Sequence, residues 1–297
     1  MIYTLRHVTA YAYRNTVGHA LCALRLTPPS GEGQRVLSHE ILVTPGPASR
    51  AEATDFFGNR AVSLTVTAPH REFRIEARSR IAVERGAPPD PASGPSWDGL
   101  REAVLATRSL APDSPLHFLG PSRRVPLAAE VTDYARASFP PGAGTYAGAL
   151  DLMRRIRQDF TFDGSATDVA TPLARAFALR RGVCQDFSHI MIAGLRGLGL
   201  PAAYVSGYLR TLPPPGMKRL EGADASHAWV AVWCGDGWRG LDPTNDIAIG
   251  DDHIVVARGR DYADIAPVSG IISGSGAQTL RVAVDVVPED EDAPPPA

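Results

Sequence analysis

Between residues 2 and 84, apolar and polar positions alternate in short runs: IYTLRHVTAYAY, SHEILVTP, AVSLTVTAP and FRIEARSRIAVE. A period of two puts every second side chain on one face of a pleated strand, so each run is predicted to be a half-buried strand. TPPSGEG, TPGPAS and FFGN interrupt the runs with turn-forming residues. Residues 1–86 are therefore expected to form a β-rich N-terminal domain, a small β-sandwich. RGAPPDPASGPSW has no periodicity, and its proline and glycine mark residues 87–96 as a linker.

Beyond residue 97 the period lengthens. WDGLREAVLATRSL, PLAAEVTDYARASF, TYAGALDLMRRIRQDF and PLARAFALR carry apolar residues at helical spacing. CQDFSHIMIAGLRGLGL sets Cys184, Phe187, Ile190, Met191, Leu195 and Leu198 on one stripe, ended by Gly199 and Pro201. Strand patterns return in AAYVSGYLRTL, in SHAWVAVWCGDGWRGLDPTN and in LRVAVDVV. Helices followed by strands predict an α+β unit over residues 97–287. The acidic, proline-rich end, residues 288–297, is expected to be a disordered tail.

Composition narrows the function. Hydrophobic residues make up 44% of 297, enough to bury a full core. The formal net charge is −2, so neither a nucleic acid nor a membrane surface is an expected partner. The first residues alternate instead of forming a basic then apolar leader, and no run approaches ~18 apolar residues. No membrane span is expected, and the cytoplasm is the expected location. Cys22, Cys184 and Cys234 form no CxxC pair and predict no disulfide framework. No HExxH motif and no His pair at i, i+4 occurs either, so no metal and no cofactor is expected.

Cys184 opens the last helical stripe, and two readings of it stand. As the first residue of an apolar face it packs as a small hydrophobe. At a helix N-terminus the same thiol lies in a field that favours the thiolate, the nucleophilic form. Gly182 is expected to supply the bend before the helix, and Asp186 to act as a first-turn acid. The second reading gains from His227 and Asp242. If Gly235-Asp236 is a two-residue hairpin turn, Cys234 opposes Gly237, Trp229 opposes Asp242 and His227 opposes Thr244. His227 and Asp242 then become diagonal neighbours on one face, ~7–8 Å apart at the backbone and within side-chain reach. A thiol, an imidazole to take its proton and a carboxylate to orient the imidazole are the parts of an activated nucleophile.

The run FTFDGSATDVATPLARAFALRRGVCQDFSHIMIAGLRGLGLPAAYVSGYL, then ASHAWVAVW and GWRGLDPTN, resembles the transglutaminase-like superfamily. YTLRHVTAYAYRN and GRDYADIAPVSG are similar to its bacterial two-domain members, which carry a β-rich domain before the core. The resemblance implies a papain-like core, helices packed on an antiparallel sheet. It also implies a catalytic triad of Cys184 as nucleophile, His227 as general base and acid, and Asp242 as orienting carboxylate. Gln185 follows Cys184 where the animal tissue enzymes carry tryptophan, a departure that turns the expectation away from protein cross-linking.

The expected activity is cysteine-dependent acyl transfer on an amide or peptide bond through a thioester. Hydrolysis is expected first, transfer to an amine second, and a non-catalytic binding module on the same fold third. The expected partner is a peptide or small amide substrate, and the oligomeric state stays open. The Cys184 N–H is the natural first oxyanion donor, with Gln185 a weak candidate beside it. Trp229 either packs or walls the site, and Tyr204 and Tyr208 line either the cleft or the core. His189, about 140° around the helix from Cys184, is not expected to be the base. Cys22 and Cys234 are expected to be inert.

Overall fold

The structure is a computed structural model and describes residues 1–92, 94–211, 226–274 and 276–289. Six strands come first: β1 (Ile2–Val17), β2 (His19–Thr27), β3 (Gln34–Thr44), β4 (Ser49–Thr54), β5 (Arg60–Val66) and β6 (His70–Val83). Next are α1 (Trp97–Leu105), α2 (Ala129–Arg136), α3 (Thr145–Asp159), β7 (Thr161–Phe162), α4 (Leu173–Leu179), β8 (Arg181–Gly182) and α5 (Cys184–Gly197). The remainder is β9 (Ala202–Leu209), β10 (Ser226–Trp233), β11 (Trp238–Asp242), β12 (Ile247–Ala248), β13 (His253–Gly259), α6 (Tyr262–Ile265), β14 (Val268–Ser273) and β15 (Gln278–Pro288). The fold is α+β, with antiparallel sheets and a helical layer.

Two four-stranded sheets, ordered β15-β1-β6-β3 and β14-β2-β5-β4, form the sandwich. Alternation explains its core: Leu24, Leu26, Val62, Leu64, Val66, Phe73 and Ile75 are buried between the sheets while their neighbours face out. The membership of the sheets corrects the expected organisation. Residues 268–287 were expected within the 97–287 unit, yet β14 pairs with β2 and β15 pairs with β1 across eleven residue pairs, from Tyr3↔Pro288 to Tyr13↔Gln278. LRVAVDVV is a strand as expected, but its apolar positions Val284 and Val286 cover the sandwich side. Of the tail expected over 288–297, Pro288 closes β15 and Glu289 pairs with Arg80; residues 290–297 lie outside the described residues.

The five-stranded sheet is ordered β12-β11-β10-β9-β13. α5 lies against β9 and β10, and α2, α3 and α4 cover its other sides. Every residue from Gln185 to Arg196 is therefore buried, and α5 is a core helix rather than an amphipathic surface one. Arg196 pins its far end: the guanidinium donates to the carbonyls of Ala202, Gly120 and Arg260 and to Ser122 Oγ.

The sandwich sits on the outer edge of this sheet. β13 is an edge strand with a register shift between Val255 and Ala257, which leaves backbone groups in need of partners. Two side-chain amides supply them. Gln34 accepts from Val255 N–H and donates to Val255 C=O, both at 2.9 Å. Asn59 does the same for Arg258, both at 2.8 Å. Tyr3, Leu5, Ile81, Val83, Tyr208, Ile254, Val256, Val284 and Val286 form the apolar seam between sandwich and sheet.

Candidate active site

Cys184 stands at the first position of α5, half-buried, with Val183 as the extended residue before it. Asp186 fixes that start: its Oδ2 accepts Val183 N–H at 2.9 Å and Thr167 Oγ1–H at 2.6 Å. One carboxylate thus satisfies a free helix-end donor and ties the loop over residues 163–172 to the helix. The reversal before the helix is made by Arg180, at φ +52°, and not by Gly182. Gly182 is needed for space instead, because a Cβ there would lie 2.5 Å from the Asp186 carboxylate. Asp186→Ala is expected to cost about 1–2 kcal/mol, read as a lower urea midpoint. An unchanged midpoint would show that Asp186 does not hold the helix start.

The β10–β11 hairpin brings the other two groups together. Cys234 N–H donates to Gly237 C=O across the turn, and the ladder runs Trp233↔Trp238 to Val230↔Leu241, the register a two-residue turn requires. His227 Nε2 and Asp242 Oδ2 are 2.7 Å apart. With Nε2 so engaged, Nδ1 is the ring nitrogen left for the Cys184 thiol, which lies close enough to influence the His227 charge.

Asp242 is fully buried and surrounded by donors. Its Oδ1 accepts from the N–H groups of Thr244 (2.9 Å) and Asn245 (3.3 Å). Its Oδ2 accepts from His227, from Asn245 Nδ2 at 2.7 Å and from His253 Nε2 at 3.4 Å. Burial alone would favour the neutral acid; the hydrogen bonds from His227, His253 and Asn245 and the His227 charge hold the carboxyl far below its ordinary range. His227 moves the opposite way. Burial pushes its ring down, but the Asp242 hydrogen bond and the neighbouring Asp242 and Cys184 groups outweigh it and raise the pKa to about 10.

The supporting candidates separate. Gln185 is buried, with Nε2 3.5 Å from the Val169 carbonyl, and so helps hold the 163–172 loop. Tyr208 belongs to the seam, its hydroxyl 2.8 Å from His7 Nδ1, so the core alternative holds for it and not the cleft. Tyr204 is likewise core, beside His189. His189 Nε2 accepts Tyr262 N–H, and burial lowers its pKa to about 4. Trp229 is fully buried beneath the site, with its ring centroid 6.1 Å from His227 and 5.3 Å from His253. It packs against Phe118, Ala203, Val205 and Val255. Cys22 and Cys234 are buried, and burial raises both thiols, Cys234 to about 12.

Asn245 and His253 were not foreseen. Asn245 had a signal, since DPTN is an Asp-led turn that brings the third residue back over the carboxylate. His253 had none, because its approach depends on β13 lying beside β9.

Two family models match this chain: the Bacterial transglutaminase-like N-terminal region over residues 3–82 and the Transglutaminase-like superfamily over residues 132–243. The chain belongs to the transglutaminase-like superfamily. That places it in a family of cysteine-dependent enzymes. An uncharacterised protein of Mycobacterium tuberculosis is 40% identical over 303 residues, covering 98% of this chain and 94% of its own. One from Mycobacterium leprae is 33% identical over 281 residues, covering 94% and 96%. Among solved structures, a "Putative Cysteine Protease" from Cytophaga hutchinsonii superimposes with a TM-score of 0.75 at 22% identity, covering 99% of this chain and 93% of that one. This transglutaminase-like fold is therefore shared along the whole length, sandwich included. Among the described residues no helix is long and apolar enough to cross a membrane.

Proposed function

We propose that the protein hydrolyses an amide or peptide bond, with Cys184 as nucleophile, His227 as general acid and base, and Asp242 as orienting carboxylate. The observation that carries this reading is the 2.7 Å His227–Asp242 pair, with Cys184 at the start of a buried helix and near enough to act on the His227 charge. The Cys184 sulfur attacks the carbonyl carbon, and the oxyanion forms within reach of the N–H groups at the first turn of α5. When the C–N bond breaks, His227 Nδ1–H gives its proton to the departing amine, which leaves a thioester on Cys184. His227 then takes a proton from water as the water attacks the thioester. The carboxylic acid departs and the sulfur is regenerated. An imidazolium that persists toward pH 10 suits the acid step.

The test is alkylation by iodoacetamide at neutral pH, followed residue by residue by mass spectrometry. Cys184 is expected to react far faster than Cys22 and Cys234, and His227→Ala to remove the difference. Equal rates at all three thiols would overturn the nucleophile. A library of peptide amides, incubated with and without a primary amine, separates water from amine as acceptor. Predominant amine incorporation would replace hydrolysis by transfer.

A further inference from the structure

The chemistry at Asp242 includes a second histidine that the triad does not use. His253 is 1% exposed, and its Nε2 faces Asp242 Oδ2 at 3.4 Å. Its Nδ1 accepts the Gly250 N–H, which leaves the ring proton on Nε2, toward the carboxylate. The edge of the ring is braced on Trp229. His227 lies opposite Gly207 in β9, so no β9 side chain stands between the two imidazoles and the indole. A Cβ at Gly207 would collide with the Trp229 ring and with the Ile254 carbonyl oxygen.

The turn that presents His253 is gripped from the sandwich side. Arg85, just after β6, donates from Nη1 to the carbonyls of Gly250 (2.9 Å) and His253 (2.5 Å), and its backbone N–H donates to Asp251 Oδ1 at 2.7 Å. Tyr3 in β1 donates to Asp252 Oδ1 at 2.8 Å. All four residues of the turn, Gly250 to His253, are thus held by β1 or by the residue that leaves β6.

We infer that His253 is a positioning residue: it fixes the plane of the Asp242 carboxylate, and Arg85 makes that placement depend on the β-sandwich. This rests on the proposed role of Cys184. Without His253, Oδ2 would be held by His227 and Asn245 Nδ2 alone, and any shift of the carboxylate would carry with it the ring it orients. A third donor on Oδ2, arriving from the edge strand β13, restricts that shift. The sandwich is then part of the catalytic machinery and not only a neighbour of it.

The experiment compares iodoacetamide alkylation of Cys184 in full-length wild type, His253→Leu, His253→Gln, Arg85→Gln and His227→Ala, with urea midpoints recorded for each. His253→Leu fills the buried space without a donor and is expected to slow alkylation by about 10- to 100-fold. His253→Gln returns an N–H near the Nε2 position and is expected to recover most of the rate. Arg85→Gln, which substitutes none of the side chains around Cys184 but loosens the turn that carries His253, is expected to slow it about tenfold. A purely structural role would make the rates follow the urea midpoints, with apolar leucine at least as good as glutamine in a buried site. That pattern, or an Arg85→Gln rate equal to wild type, overturns the inference while fast, His227-dependent alkylation leaves the parent reading standing. Slow alkylation of Cys184 in the wild type overturns both.

Discussion

Asp242→Asn is expected to slow alkylation of Cys184, and turnover with it, by about 10³- to 10⁴-fold while the chain remains folded. Asp242 accepts five hydrogen bonds and donates none. The amide that replaces it turns an N–H toward one set of donors. If the amide oxygen keeps the backbone N–H groups, the NH₂ faces His227 Nε2 and selects the tautomer with its proton on Nδ1. That neutral ring can no longer take the thiol proton. The cost in stability is about 1–3 kcal/mol for the donors left unpaired. pH sharpens the prediction. His227 is raised from 6.5 to about 10, so its stabilising contribution is complete below 6.5 and is lost as pH rises through about 10. The stability gap between wild type and Asp242→Asn is therefore expected to narrow between neutral pH and pH 10. Urea midpoints at two pH values, with Cys184 alkylation rates, check both parts. An asparagine variant within threefold of the wild-type rate would remove Asp242 from the mechanism.

Trp229→Ala carries the largest expected loss of stability, about 3–5 kcal/mol. The indole is fully buried among Phe118, Ala203, Val205 and Val255, and it backs both imidazoles, so its removal opens a cavity beneath the site. The indole Nε1 is buried without a hydrogen-bond partner among the described residues. Ring volume, not the N–H, is accordingly what the site uses, and Trp229→Phe is expected to lose much less than alanine. Denaturant midpoints of the two variants separate volume from hydrogen bonding. An alanine variant within 1 kcal/mol of wild type, an order-of-magnitude threshold, would show that the surroundings collapse into the space.

What could be read from residues alone was set by short-range constraints. The His227–Asp242 pairing was legible because a two-residue turn fixes register over the next few positions. The Cys184 helix was legible because its apolar period begins at the cysteine. Other features depend on chain segments far apart in sequence. The alternation of LRVAVDVV marks a strand but not its partner, and the partner is β1, more than two hundred and sixty residues away. Tyr208 could not be assigned because the His7 that receives its hydroxyl comes from the first strand. Gly182 was read as a bend, a glycine's commonest use, when the side chain folded over it leaves no room for a Cβ. His253 sits in a plain apolar run whose neighbour is decided by sheet order.

The return of β14 and β15 to the first sheets makes the helical layer an insert in the sandwich and not a second bead on a string. The chain leaves the sandwich after Val83 and comes back at Val268. A single proteolytic nick in the segment between β6 and α1 would cut the backbone without releasing either part, since both fragments still contribute strands to the same two sheets. Ribosomal synthesis meets the same geometry: β1 and β2 must wait for their last partners until the whole helical layer and its sheet have been made.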